Sequence, residues 1–384
     1  MKLYKHQAEF EALNPDKALL VWEAGTGKTV GACVWLRQGR DTNALVICPK
    51  RIVQKWETEL KKWGAKATVI SKEKFKKNPG KNWSAIVVDE ADEFASPLFT
   101  KQRSQLSTVL YNIVMTNQDT PILLMSATPI RSTPWNLHSL LCFMGNYIDR
   151  KKWQERFFQL TSRPYLKFPA WLVKDGWQKD IRPVLEKYAH IVLLKDIVDE
   201  LPQVEEDIIT TKPKGKFIKD IDWVEPGKVF VEQHKWEQND KLRHILEVSK
   251  GYRKVAVVAH YVEQVEELNK QLSKHRQTFC VHGSVKGQEQ KLQEANEVDE
   301  CFLVIQASLG VGFDLDTFSC TIFVSMSYKV RDYVQMKART KRIHNLHDIK
   351  YVYMLGGKSD RMVYNCIMKG KDFVPSEYAT ITQD

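Results

Sequence analysis

Three groups of residues in this chain have the types and spacing needed to handle phosphate. The first is E-A-G-T-G-K-T, running from Glu23 through Ala24, Gly25, Thr26 and Gly27 to Lys28 and Thr29. Glycines at 25 and 27 let a backbone turn bring its N–H groups around phosphate oxygens. A helix opening at Lys28 would add the positive end of its dipole. Lys28 would then reach the β- and γ-phosphates of a nucleotide, and Thr29 would hold a magnesium ion. A strict phosphate-loop pattern has glycine where this chain has Trp22, but the G-x-G-K-T core is intact. The second group is Asp89 and Glu90, one acid to bind the ion and the other to orient water. The third is Arg339 and Arg342, three apart and therefore on one face of a helix, able to stabilise charge that develops on a transferred phosphoryl group. An acidic pair is by itself often a solvated turn, and two arginines are often only surface. Their place in the chain changes that reading.

Each group follows an element that can aim it. Apolar runs of strand length cover Ala18 to Trp22, Ala44 to Cys48, Ala67 to Ile70, Ala85 to Val88 and Ile122 to Met125. A second set covers Val255 to Ala259, Thr278 to Val281, Phe302 to Ile305, Thr321 to Val324 and Tyr351 to Leu355. Helical stripes lie between them, such as Ile52, Val53, Trp56, Leu60 and Trp63, or Val262, Val265, Leu268 and Leu272. Alternating strands and helices predict α/β architecture with parallel sheets covered on both faces, and such sheets bind ligands beyond the carboxyl ends of their strands. The polar clusters fall at those ends. The expected organisation is an N-terminal nucleotide-binding lobe over 1–149, a helical insertion and linker over 150–210, and a C-terminal lobe over 211–384. The aromatics Trp153, Phe157, Phe158, Tyr165, Trp171 and Trp177 are expected to pack between the lobes.

At 384 residues the chain is long enough for two domains, and 43% apolar residues suit folded cores. The net charge of +11 is unevenly placed: Lys50 to Lys81 holds 11 Lys or Arg against 3 acids, and Lys329 to Lys350 holds 7 against 2. Two basic surfaces of this kind suit a polyanion. The seven cysteines never form C-x-x-C and mostly lie in apolar segments, which suits a reducing compartment. With no run of about 20 apolar residues and no apolar signal core at the start, the expectation is a soluble, intracellular protein without membrane contact.

Read together, these motifs resemble superfamily-two helicases, and among them the Swi/Snf-type DNA translocases, over nearly the whole chain. The start LYKHQ resembles the family's adenine-recognising glutamine motif, with Gln7 as the base reader. VICPKRIVQKWETELKKW and VISKEKF resemble its DNA-contacting motifs, and SATPIRSTPWNLHSLL resembles its coupling motif. HIVLLKDIVDELPQ resembles the Leu-Pro-terminated segment that joins the lobes in Swi/Snf proteins and is absent from DEAD-type RNA helicases. VHGS, QASLGVGFDL and QMKARTKRIHN follow in family order. This chain departs at Trp22, at Asp92 (often histidine), at Gln306 (usually a small hydroxyl residue) and at Leu309 (usually glycine).

The resemblance implies two tandem RecA-like lobes that close on ATP and Mg²⁺. Gln7, Glu23 to Thr29, Gly312 and Asp314 would contact the nucleotide, and Thr29 and Asp89 the metal. Lys28, Asp89, Glu90, Arg339 and Arg342 would carry hydrolysis. Lys50, Arg51, Ser71, Lys72, Gly283, Ser284 and Ser308 would track a nucleic-acid backbone. The expected partner is duplex or branched DNA and the expected state monomeric. An RNA helicase and a catalytically quiet DNA-binding scaffold are the competing functions.

Overall fold

The computed structural model describes residues 2–98, 103–131, 133–161, 169–197, 203–212, 226–237, 241–309, 315, 317–340 and 347–375. The chain divides into two compact units, Met1–Asp199 and Glu200–Asp384.

The first unit is built on a six-stranded sheet. Its strands are β1 (Lys17–Trp22), β2 (Ala44–Cys48), β3 (Thr68–Ser71), β4 (Ala85–Asp89), β5 (Ile122–Met125) and, after the hairpin β6 (Phe158–Thr161) and β7 (Ala170–Val173), β8 (Ala189–Val192). The order is β3-β2-β4-β5-β1-β8, and every pair is parallel. Parallel neighbours need crossovers, which the helices supply. These are α1 (Lys5–Leu13), α2 (Lys28–Arg37), α3 (Val53–Trp63), α4 (Lys72–Lys77), α5 (Gln105–Thr116), α6 (Trp135–Phe143), α7 (Arg150–Phe157) and α8 (Trp177–Tyr188). β2, β4 and β5 are buried along their whole length, as strands covered on both faces must be.

The second unit repeats the plan. Its strands are β9 (Val204–Thr210), β10 (Lys254–Ala259), β11 (Thr278–Val281), β12 (Cys301–Gln306), β13 (Cys320–Phe323) and β14 (Ile349–Leu355), in the order β11-β12-β10-β13-β14-β9 and again all parallel. Helices α9 (Pro226–Glu237), α10 (Leu242–Ser249), α11 (Val262–Leu272), α12 (Gln288–Glu297), α13 (Val330–Thr340) and α14 (Lys358–Met368) accompany them. The two-residue period of a strand is visible in its packing. Ala256 and Val258 enter one apolar cluster, and Val255, Val257 and Ala259 the other, so β10 separates two cores. Two parallel sheets flanked by helices are the tandem RecA-like build that was expected.

All ten strands read from the sequence are present. Each sheet also has a sixth strand, β8 and β9, drawn from the segment expected to be a helical insertion. That segment does contain helices α7 and α8, together with the β6–β7 hairpin. The aromatics correct an expectation: Trp153, Phe157, Phe158 and Trp177 are buried in the core of the first unit itself. Trp171 is exposed, and Tyr165 lies outside the described residues. No helix among the described residues is long and apolar enough to cross a membrane.

Candidate nucleotide site and nucleic-acid contacts

Because every strand of the first sheet runs the same way, the loops after β1, β2, β3, β4 and β5 leave from one edge. β1 is buried up to Trp22, then turns through Gly25 (φ 90°) and Gly27 (φ 81°) into α2, which begins at Lys28. Left-handed backbone at both points is cheap only for glycine. A Cβ on Gly27 would in addition collide with Nε2 of Gln7. The first turn of α2 thus opens directly onto the loop, the arrangement by which a helix N-terminus receives a phosphate. The Lys28 ammonium donates to the Trp22 carbonyl (2.8 Å) at the mouth of this loop.

The loop is held from both sides. From α1, His6 Nε2 donates to the Thr26 carbonyl at 2.8 Å, while Gln7 Nε2 reaches the Thr26 and Gly27 carbonyls only at 3.5 and 3.4 Å. By distance, His6 makes the stronger bond. Gln7 is buried against the loop, with its Oε1 accepting from Tyr4 N. From the β8 side, Glu23 N donates to the Val192 carbonyl and Glu23 Oε2 accepts from Leu194 N, both at 2.8 Å. Trp22 lies beneath, with its indole N–H donating to His190 Nδ1 at 2.7 Å and its ring edge-on to His6 and Phe10. Burial lowers the pKa of both His6 and His190. Ala24 and Thr29 are half-buried beside this turn.

The acid pair emerges two strands away on the same edge, with Leu20, Met125 and Asp89 level across β1, β5 and β4. Burial raises the Asp89 pKa, opposed by the Trp56 indole, by the Lys28 charge and by the Glu90 N–H. Trp56 Nε1 donates to Asp89 Oδ2 at 2.9 Å, and Glu90 N to Oδ1 at 3.0 Å. Glu90 stands in left-handed backbone (φ 52°), unusual for a side-chain-bearing residue and a sign that the acid turn is held in place. Among the described residues no group of three or more His, Cys, Asp or Glu could hold a metal. A cation here would rest on Asp89 and Thr29. Such sparse oxygen ligation fits magnesium, which keeps waters and takes phosphate oxygens as its remaining ligands.

Sequence reasoning marked Asp92, the last acid of D-E-A-D, only as a departure from the family pattern and gave it no role. It is buried, accepts from Ser126 Oγ (2.9 Å) and pairs with Arg131 (2.7 Å), tying the acid turn to the loop after β5. The serine and arginine that open and close S-A-T-P-I-R, together with an acid just past the end of the neighbouring strand, were the available signal.

Residues expected to meet nucleic acid lie at the carboxyl ends of strands within each unit's own sheet. Lys50 is exposed and Arg51 half-buried in a 3-10 turn, Lys50–Ile52, after β2. Ser71 ends β3 and caps α4, accepting from Lys74 N, while Lys72 pairs with Glu93. In the second unit, Gly283, Ser284 and Ser308 are exposed just past the ends of β11 and β12. Gln306 bridges these two loops, its Oε1 accepting from Gly283 N at 3.1 Å, while Leu309 is buried in the core. Arg339 lies half-buried on α13, its carbonyl accepting from Leu315 N. Arg342, Gly312 and Asp314 lie outside the described residues.

At the carboxyl edge of the second sheet, the buried Lys241 ammonium donates to the carbonyls of Val324 (2.6 Å) and Met354 (2.7 Å) and to Asp360 Oδ2 (2.5 Å). His234 Nε2 meets the other oxygen of Asp360 at 2.8 Å. Burial alone would raise the Asp360 pKa, but Lys241 and His234 override it and hold the carboxylate well below its usual range.

Residues 237–344 match the family model described as helicase conserved C-terminal domain. No curated protein matches the sequence. Among solved structures, the chain is similar to the Sulfolobus solfataricus SWI2/SNF2 ATPase core in complex with dsDNA, at 14% identity and a TM-score of 0.44, covering 100% of this chain and 95% of that one.

Proposed function

We propose that this chain, with two RecA-like lobes and a match to the helicase conserved C-terminal domain model over residues 237–344, is a superfamily-two, ATP-hydrolysing DNA translocase of the Swi/Snf type. The observation that carries this reading lies within the first unit. Gly25 to Thr29 and the pair Asp89 and Glu90 leave one edge of one parallel sheet, close enough for the Lys28 charge to bear on Asp89.

In this reading ATP with its magnesium ion supplies the transferable phosphoryl group and part of the charge neutralisation. The protein supplies position. The N–H groups of the Gly25–Thr29 turn and the Lys28 ammonium hold phosphate oxygens, Thr29 and Asp89 hold the cation, and Glu90 orients water for attack. In the same reading Gln7 recognises the base, with Gly312 and Asp314 as further nucleotide contacts. Arg339 and Arg342 bring guanidinium groups to the γ-phosphate as its charge develops. Lys50, Arg51, Ser71, Lys72, Gly283, Ser284 and Ser308 contact the phosphate chain of duplex or branched DNA, so recognition is by backbone and weakly by sequence.

Phosphate release stimulated by duplex DNA, single-stranded DNA and RNA in parallel tests this. The reading expects duplex DNA to stimulate most, and Arg339→Ala or Arg342→Ala to lower turnover by roughly 10³-fold or more. The literal D-E-A-D string favours the rival RNA helicase, and stimulation by RNA alone would establish it. Absence of turnover with every polynucleotide would leave the quiet scaffold.

A further inference from the structure

Trp56 sits one turn into α3 and is 1% exposed, yet its single polar atom is spent on the acid that ends β4. A buried indole must satisfy its N–H somewhere, so packing alone explains why a bond exists. It does not explain the partner. The bond takes one defined oxygen, Oδ2, while the Glu90 N–H takes Oδ1, so each oxygen of the Asp89 carboxylate is held by its own donor. An indole is also a donor only, unable to compete with the carboxylate for a cation. Groups that orient a metal-binding carboxylate in this way set its affinity.

The helix that carries Trp56 has a second connection. It starts at Val53, directly after the Lys50–Ile52 turn that presents Lys50 and Arg51 at the sheet edge. A phosphate chain held by this turn would act at the start of the helix whose indole holds Asp89.

We propose that Trp56 is a positioning residue for Asp89, fixing the carboxylate for magnesium and passing the state of the Lys50–Ile52 turn to it. This deepens the nucleotide-site reading above and rests on it.

The test uses the full chain with a non-hydrolysable ATP analogue and Mn²⁺ as the magnesium probe, read as free-Mn²⁺ resonance so that no turnover is needed. Trp56→Phe keeps an aromatic ring and deletes the N–H. The expected result is half-saturation by Mn²⁺ at roughly 10–100-fold higher concentration, in a variant that still unfolds cooperatively in urea at a somewhat lowered midpoint. Duplex DNA is expected to tighten Mn²⁺ binding in wild type and to lose that effect in Trp56→Phe. Should Trp56→Phe not fold, benzothienylalanine at position 56 replaces N–H by sulfur with the ring shape retained and is expected to give the same shift. Half-saturation equal to wild type in a folded variant overturns the positioning role, and retained tightening by DNA overturns the relay. If the wild-type chain itself takes up no Mn²⁺ with the analogue, the nucleotide-site reading fails instead.

Discussion

The tightest constraints at the residue scale are imposed by groups that can act in only one hydrogen-bonding sense. Trp22 can only donate, so His190 must present an unprotonated Nδ1, and the Thr26 carbonyl can only accept, so His6 must donate through Nε2. Burial lowers the pKa of both histidines, and the charge of one disfavours that of the other. With folded pKa values below the unfolded one, their stabilising contribution is complete above about 6.5 and fades as the pH falls. The urea midpoint followed by tryptophan fluorescence should therefore drop between pH 7.5 and pH 5.5, and less so in His190→Gln. An equal drop in both would remove His190 from the account. The same sign holds at Asp360 in a more acidic window: its depressed pKa keeps its contribution present above about 4 and fading only in stronger acid. Lys241→Met would strand that carboxylate in the core and should cost about 3–5 kcal/mol in urea unfolding; a loss below about 1 kcal/mol would mean that solvent reaches Asp360.

At the scale of elements, α2 shows which of two effects wins. Gly31 lies buried in a helix, where alanine is intrinsically better by about 0.5–1 kcal/mol. A Cβ there would sit 2.8 Å from two ring atoms of Trp22, a side chain buried in β1 with no room to move. Overpacking of this sort costs about 1–3 kcal/mol, so Gly31→Ala should destabilise despite its propensity gain, as a lowered urea midpoint. A raised midpoint would mean that the ring yields.

The elements legible in the sequence were those with apolar runs closed by polar turns, the edge strands β3 and β11 among them. β8 and β9, at the opposite edges, escaped because few of their side chains are buried. Val-Glu-Glu-Asp-Ile-Ile-Thr is mostly exposed and is held by backbone pairing with β14, a bond pattern that carries no side-chain signature. The site divides the same way. Gly25 to Thr29 and Asp89–Glu90 are contiguous and could be read, whereas Trp56 on Asp89, His190 on Trp22 and Arg131 on Asp92 join residues 33, 168 and 39 positions apart and exist only once the sheet has formed.

For the whole molecule, the +11 charge and the exposed positions past the strand ends make salt the natural lever on any polyanion complex. With about four phosphates contacted, a fourfold rise in salt should weaken duplex binding roughly a hundredfold, read from the DNA concentration giving half-maximal stimulation. A salt-independent midpoint would exclude backbone contacts as the main source of affinity. The most direct test is steady-state phosphate release by the full chain with and without a blunt DNA duplex, beside Lys28→Ala at matched protein and nucleotide. Duplex-stimulated release in wild type, abolished in a variant that still binds the duplex, is the predicted result. Release by Lys28→Ala at the wild-type rate would contradict the account.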